Sequence, residues 1–224
     1  MDERSRAGVR RTYERIGAHF SKTREYAWPE VESFVDDAGS VGTALDVGCG
    51  NGRHTELLAE SADRVVGLDA SRALLHEARE RVGDGAALVQ GDASRLPLGE
   101  GTVDLAVYVA TLHHLPTAAD RRASLDELAR VLSPEGQALV SVWSTAHDRF
   151  DASADAESGF DTTVDWTLPG GETVPRFYHI YAPPEFHADL DASALSPVDV
   201  FVSSGNCYAV VGPASDRPVR TDVE

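Results

Sequence analysis

The chain has 224 residues, enough for one large domain with a well-developed core. Asp and Glu number 37 against 20 Lys and Arg, a formal net charge of −17, which argues against a broadly cationic surface for coating nucleic acid. No apolar run reaches the roughly 20 residues of a membrane span, and the two cysteines, Cys49 and Cys207, form neither a disulfide framework nor a metal-type spacing.

Strand and helix patterns alternate along the chain, which predicts an α/β fold with a parallel sheet covered on both faces. Helices are expected over Val9–Phe20 and Pro29–Ala38, the second with Pro in its first turn. A strand at Thr43–Val47 leads into a helix near Gly52–Ser61. A second strand, Arg64–Leu68, precedes a helix from Ser71 to Val82 with Ser71 as N-cap. Strands follow at Ala86–Gln90 and Val103–Val109, the latter apolar enough for the centre of a sheet. A helix over Ala119–Leu132 carries Leu125, Leu128 and Leu132 on one stripe. Pro134-Glu135-Gly136 reads as a turn before a strand at Gln137–Trp143. Ser144–Pro175 has few periodic apolar residues and reads as a long loop insertion. A short helix, Glu185–Leu190, and a hairpin of Val198–Val202 with Cys207–Val211 follow. Residues 214–224 read as a polar tail.

The most informative segment is Leu45-Asp46-Val47-Gly48-Cys49-Gly50-Asn51-Gly52, a buried strand entering a glycine turn and then a helix. Alternating Gly48, Gly50 and Gly52 let a ligand lie against bare backbone, and the helix points free N–H groups at the turn. The dinucleotide fingerprint G-x-G-x-x-G is not met, because Arg53 stands where its third glycine belongs. Asp69 ends the second strand, where it can accept hydrogen bonds from ribose hydroxyls, and Asp92-Ala93 follows the third strand. Each aspartate alone can also be read as a turn or capping residue.

This turn resembles the first motif of class I S-adenosylmethionine (SAM) methyltransferases. The resemblance implies a seven-stranded Rossmann-like sheet closed by a C-terminal β-hairpin, with SAM as cofactor. It further implies that Asp46 helps position the methionine end, Asp69 the ribose, and Asp92 with the Ala93 N–H the adenine. Residues 39–213 would form the SAM-binding core, with the loop insertion at 144–175, and residues 1–38 a helical substrate-side segment.

A second pattern, Tyr13-x-x-Ile16-x-x-His19-Phe20-Ser21-x-Thr23-Arg24-x-x-x-Trp28-Pro29, is joined by Ala110-Thr111-Leu112-His113-His114-Leu115 and Arg176-Phe177-Tyr178-His179-Ile180-Tyr181. Together they resemble the tRNA wobble-uridine (U34) carboxymethyl methyltransferases. The resemblance implies esterification of a carboxymethyl-uridine carboxylate in tRNA, with a small zinc-binding activator subunit as partner. A small-molecule methyltransferase is the alternative. Arg24, His113, Arg176, Tyr178 and His179 are the expected acceptor-side residues, Arg24 also being open to a surface ion pair with Glu25 or Glu30. The adjacent pair His113-His114 faces different ways and no third ligand is evident, so no metal is expected.

Arg4, Arg6, Arg10, Arg11 and Arg15 form either a local RNA-contacting patch or ion pairs with the many carboxylates. Lys22 is the only lysine, the other 19 cations being arginine. An acidic, lysine-poor chain suits strong salt, which screens self-repulsion, so a halophilic source is expected. The charged start Met1-Asp2-Glu3-Arg4 lacks an apolar signal segment, and a cytoplasmic, reduced protein is expected.

Overall fold

The computed structural model describes residues 4–150 and 156–214. The expected polar tail lies outside these residues, apart from its first residue. The elements in chain order are α1 (Arg6–Ser21), α2 (Pro29–Ala38), β1 (Val41–Val47), α3 (Arg53–Ala59), β2 (Ala62–Asp69), α4 (Arg72–Val82), β3 (Ala87–Gln90) and β4 (Val103–Val109). After one 3-10 turn, Leu112–His114, come α5 (Ala118–Val131), β5 (Leu132–Trp143), β6 (Phe160–Thr167), β7 (Thr173–Ile180), α6 (Pro183–Asp191), β8 (Leu195–Ser203) and β9 (Asn206–Pro213).

Seven strands form one sheet in the order β3-β2-β1-β4-β5-β9-β8. The first five are parallel, while β9 runs antiparallel to both β5 and β8. The order reverses beside β1, and β1 and β4 both end there. In open α/β sheets, ligands bind at such a switch point beyond the C-terminal strand ends. The centre is buried on both faces. Leu45, Ala106 and Val140 pack towards α5 and α6, and Val107, Leu139 and Tyr208 towards α2 and α3.

Local chemistry explains the element starts. Ser5 Oγ caps α1 through the Gly8 N–H at 3.1 Å, Ser71 Oγ caps α4 through Leu74 N at 3.3 Å, and Thr117 caps α5 through Asp120 N at 3.0 Å. Pro29 opens α2. Two expectations need correction. The turn at Pro134-Glu135-Gly136 is an irregularity inside β5, where pairing with β4 shifts register between Val103 and Leu105. A Cβ at Gly136 would lie 2.6 Å from the Val103 carbonyl oxygen, so only glycine lets the strand continue there.

The second correction concerns Ser144–Pro175, which is not a structureless loop. Its second half holds β6 and the start of β7, an antiparallel hairpin forming a separate two-stranded sheet. The hairpin turn contains Gly170 and Gly171, both at positive φ, and is closed by Leu168 N–H donating to the Glu172 carbonyl at 2.8 Å. One hairpin face carries Val164, Tyr178 and Ile180, with Trp143 and Phe150 packed against them. The hairpin thereby roofs the switch point.

Candidate active site

A cavity of about 640 Å³ opens over the switch point, a size suited to a cofactor or drug-sized ligand. Gly48, Gly50, Asp69, Asp92 and Ala93 line it, and so do Arg24, His113, Arg176 and Tyr178. Asp46, Gly52 and His179 do not border it.

Asp46 is only 2% exposed, and its Oδ2 accepts from Thr55 Oγ1 at 2.7 Å. Burial pushes its carboxyl up to about 7, and the nearby Asp69 adds to the rise. Instead of facing a ligand, Asp46 ties the end of β1 to α3 beneath the glycine turn. Gly52 has φ +80°, and a Cβ there would sit 3.1 Å from the Ala78 Cβ, so it permits α3 to pack on α4. Gly50 differs: at φ +55° it has no protein atom within 4 Å of a Cβ position, and it borders the cavity. Its bare face is the kind of cradle a ligand fills.

Asp69 Oδ2 accepts from Gly50 N at 2.9 Å and Oδ1 from Ser71 N at 2.8 Å. Burial raises its carboxyl to about 6 although these amides oppose the shift. Asp69 borders the cavity, and its carboxylate keeps acceptor capacity for a ligand there. Asp92 Oδ1 accepts from Ser94 N at 2.9 Å, and its other oxygen pairs with Arg6, which also reaches Asp120 at 3.0 Å. Arg6 therefore bridges the expected adenine end. Arg15 pairs with Glu172, so Arg6 and Arg15 are engaged with carboxylates. Bare backbone at Gly50, a cavity-facing carboxylate at Asp69, and Asp92-Ala93 beyond the next strand together fit an adenosine-bearing cofactor.

On the other wall, strand alternation decides which side chains count. Arg176 and Tyr178 share one face of β7 and turn into the cavity. Arg176 is 5% exposed, and no described carboxylate pairs with it. Its Nη1 donates to Tyr178 Oη at 2.6 Å, its guanidinium lies 4.9 Å from the Trp166 ring centroid, and its buried Nε has no partner. His179 takes the opposite face, where Nδ1 meets Asp161 at 2.8 Å and Nε2 meets Glu185 at 2.9 Å. It clamps the hairpin to α6 and is not part of the cavity wall.

Of the two adjacent histidines His113 is buried and His114 half-buried, and both are neutral. His113 Nδ1 accepts from the Trp143 N–H at 2.9 Å, which places the proton on Nε2. Burial holds its pKa well below the usual range. His114 Nδ1 donates to the Phe177 carbonyl at 2.8 Å, and its Nε2 accepts from the Tyr13 hydroxyl at 2.8 Å, with a pKa lowered to about 3 by burial. Both lone pairs of the pair are thus occupied, and the two rings converge on no common metal position.

Arg24 has no ion pair with Glu25 or Glu30. Its guanidinium lies 4.9 Å from the Phe20 ring centroid and 5.9 Å from that of Trp166. The structure adds residues that the sequence reasoning assigned no role: Tyr13, Asn51, Trp143 and Asn206 on the cavity wall, and Trp166 behind the arginines. Tyr13 was legible as part of the motif, one helical face from Ile16 and Phe20; Trp166 required the hairpin to be recognised. Elsewhere, His76, Glu77 and Glu80 bring ligand-type atoms within 4.8 Å of one another on α4, a consequence of helical spacing. No described helix is long and apolar enough to cross a membrane.

Comparisons with known proteins agree with this geometry. Residues 45–140 match the methyltransferase domain family. A putative methyltransferase of Encephalitozoon cuniculi is 35% identical over 176 residues, which cover 77% of this chain and 80% of that protein. The tRNA (carboxymethyluridine(34)-5-O)-methyltransferase of Arabidopsis thaliana is 36% identical over 140 residues, 62% of this chain but 33% of that one. The chain thus spans about a third of that relative. Among solved structures, a DhpI–SAH complex superposes with a TM-score of 0.68 at 21% identity, covering 94% of this chain and all of that one. The complex of the Haloferax volcanii Trm112 methyltransferase activator with a putative methyltransferase gives a TM-score of 0.63 at 15% identity, over 90% of this chain and 97% of that one. The glycine turn over the switch point, the closing β9–β8 hairpin and these relatives agree: the chain belongs to the class I SAM-dependent methyltransferases.

Proposed function

We propose that this chain methylates a carboxylate oxygen of a 5-carboxymethyl-type wobble uridine in tRNA. The observation that carries the proposal is Arg176, a buried guanidinium in the cavity wall with an unpartnered Nε and no carboxylate of its own. A buried cation without a counter-ion is costly unless a ligand supplies the negative charge. A carboxylate supplies it in the geometry a guanidinium prefers.

Bound SAM supplies an electrophilic methyl group on its sulfonium. Gly48, Gly50, Asp69, Asp92 and Ala93 would hold it. A carboxylate is already nucleophilic at neutral pH, so the reaction needs no general base. The cavity agrees: His113 and His114 offer no free lone pair. The chain's task is then positioning, the orientation of one oxygen towards the methyl group. Arg176 and Tyr178 hold the acceptor on the β7 side, the Nε2–H of His113 donates from the strand-end side, and Arg24 closes the N-terminal side. Ion pairs of equal strength in ground and transition states give affinity without rate. Two guanidinium groups backed by rings suit this chemistry better than a dense cationic cluster.

The relative from Arabidopsis thaliana, named for carboxymethyluridine(34), supports the acceptor. The Haloferax volcanii complex, a methyltransferase activator with a putative methyltransferase, supports an activator subunit as partner. A cytoplasmic site of action belongs to the same reading. The net charge of −17 favours a second reading, a small-molecule acceptor in the same cavity. Mass spectrometry of tRNA nucleosides from a strain lacking the protein separates the two. Loss of an ester-bearing wobble uridine supports the tRNA reading, and an unchanged nucleoside profile supports the small-molecule one.

A further inference from the structure

Between α1 and α2 the chain runs along the cavity as a connector, residues 22–28, that has no regular secondary structure and carries Arg24 and Trp28. Side chains from the cofactor half of the molecule hold this connector by its carbonyls. Arg81 in α4 donates to the Glu25 carbonyl at 2.8 Å and to that of Arg24 at 3.3 Å. Arg53 in α3 donates to the Tyr26 carbonyl at 3.2 Å. Asn51 makes the most buried of these links. Its Nδ2 donates to the Arg24 carbonyl at 2.8 Å and lies 3.2 Å from the Ser21 carbonyl and 3.3 Å from Ser21 Oγ.

Asn51 differs from the two arginines in its place. It is 3% exposed and sits inside the glycine turn, between Gly50 at φ +55° and Gly52 at φ +80°. A short, rigid amide in that turn gives the connector little slack. Any settling of the turn around a ligand is passed to the residue whose carbonyl Asn51 holds. That residue is Arg24, whose guanidinium borders the same cavity.

We propose that Asn51 is a positioning residue that couples the cofactor turn to Arg24, so that occupancy of the turn fixes the Arg24 guanidinium before the acceptor is engaged. The acceptor role of Arg24 rests on the function proposed above; the link between turn and connector does not. Such coupling is reciprocal between the two ligands.

Amide hydrogen exchange with S-adenosylhomocysteine as the probe tests the coupling without an acceptor. In the wild type, S-adenosylhomocysteine should slow exchange about 5-fold or more in residues 21–28 as well as at Asp69–Ser71. In Asn51→Ala, slowing at Asp69–Ser71 should persist while slowing in residues 21–28 disappears. Slowing in residues 21–28 that survives the substitution overturns the proposal. If the alanine variant does not fold, Asn51→Asp, which keeps the shape and removes both donor hydrogens, gives the same comparison. On a tRNA acceptor, the Asn51→Ala/Arg24→Ala double variant should be no slower than Arg24→Ala alone to within about 2-fold. Losses that multiply would overturn the positioning role. A wild type inactive on every tRNA, whose connector still responds to S-adenosylhomocysteine, would count against the proposed function and leave the coupling intact.

Discussion

Arg176→Met separates a binding cation from a structural one. The wild-type guanidinium is 95% removed from water, has no carboxylate, and is offset by the Tyr178 hydroxyl, the nearby Tyr13 hydroxyl and two aromatic rings, at 4.9 Å and 5.2 Å. The rings return about 1–2 kcal/mol of a desolvation penalty of several kcal/mol. Methionine fills much the same space without charge, so melting should be unchanged or rise by ~2–6 °C even though Tyr178 loses a donor. Activity should move the other way. Two charge-assisted hydrogen bonds to the acceptor, at about 1.5–3 kcal/mol each, correspond to a fall of ~10²–10³ or more in kcat/KM. S-adenosylhomocysteine affinity should change less than about 3-fold, because the cofactor side is built from other residues. Calorimetric titration, a melting curve and a methyl-transfer assay suffice. A fall in melting temperature of more than ~5 °C together with a parallel loss of cofactor affinity would refute the reasoning, since Arg176 would then be a structural cation.

Other substitutions divide structure from binding in the same way. Gly50→Ala should reduce S-adenosylhomocysteine affinity at least ~30-fold with a stability loss near 1–2 kcal/mol from its positive φ, whereas Gly52→Ala, with Ala78 at 3.1 Å, should lower the melting temperature more and in the absence of ligand; denaturant titration and calorimetry compare the two. The raised carboxyl of Asp46 gives stability that is present at low pH and lost as pH climbs through about 7. Asp46→Asn, which can still accept from Thr55, should therefore flatten the fall in melting temperature between about pH 4 and 7, and an unaltered slope would exclude Asp46 as its source. With Asp69 raised to about 6 by burial, cofactor affinity should grow as pH rises through that value and the carboxylate ionises; Asp69→Asn should give weak, pH-independent binding by calorimetry. His179→Ala should unlatch the hairpin from α6, lowering melting temperature and kcat with S-adenosylhomocysteine affinity near wild type; an unaltered melting curve would argue against the clamp.

The core was legible where one local signal and one burial pattern coincide. Val103–Val109 is apolar from Leu105 onward because it lies between β1 and β5 with both faces covered, and Pro29 and Ser71 mark helix starts by backbone chemistry alone. The hairpin was missed because β6 buries one residue well, Val164, and exposes Asp and Thr around it. Its clearest signal was Pro169-Gly170-Gly171 between two runs rich in Thr and aromatics. His179 was misplaced for a related reason. Once residues 173–180 are a strand, period-2 alternation alone puts Arg176 with Tyr178 and sends His179 to the far face. Asp46 and Gly52 carry a motif's sequence signature but lie one layer below the cavity, a distinction that only packing against Thr55 and Ala78 makes visible.

The burial of Arg176 also bears on how so acidic a chain would take an anionic acceptor. At about 1 M salt the Debye length is about 3 Å, so the −17 net charge repels a polyanion only at contact distance. The same screening weakens phosphate contacts from exposed arginines such as Arg10 and Arg11. A guanidinium inside a walled cavity keeps its strength, because counter-ions and water are largely kept away from it. Strong salt therefore shifts discrimination from the surface into the pocket. There an arginine would serve an anionic acceptor best without a carboxylate partner: Arg176 beneath its rings and Arg24 held by Asn51 meet that condition, whereas Arg6 and Arg15, tied to Asp92, Asp120 and Glu172, do not.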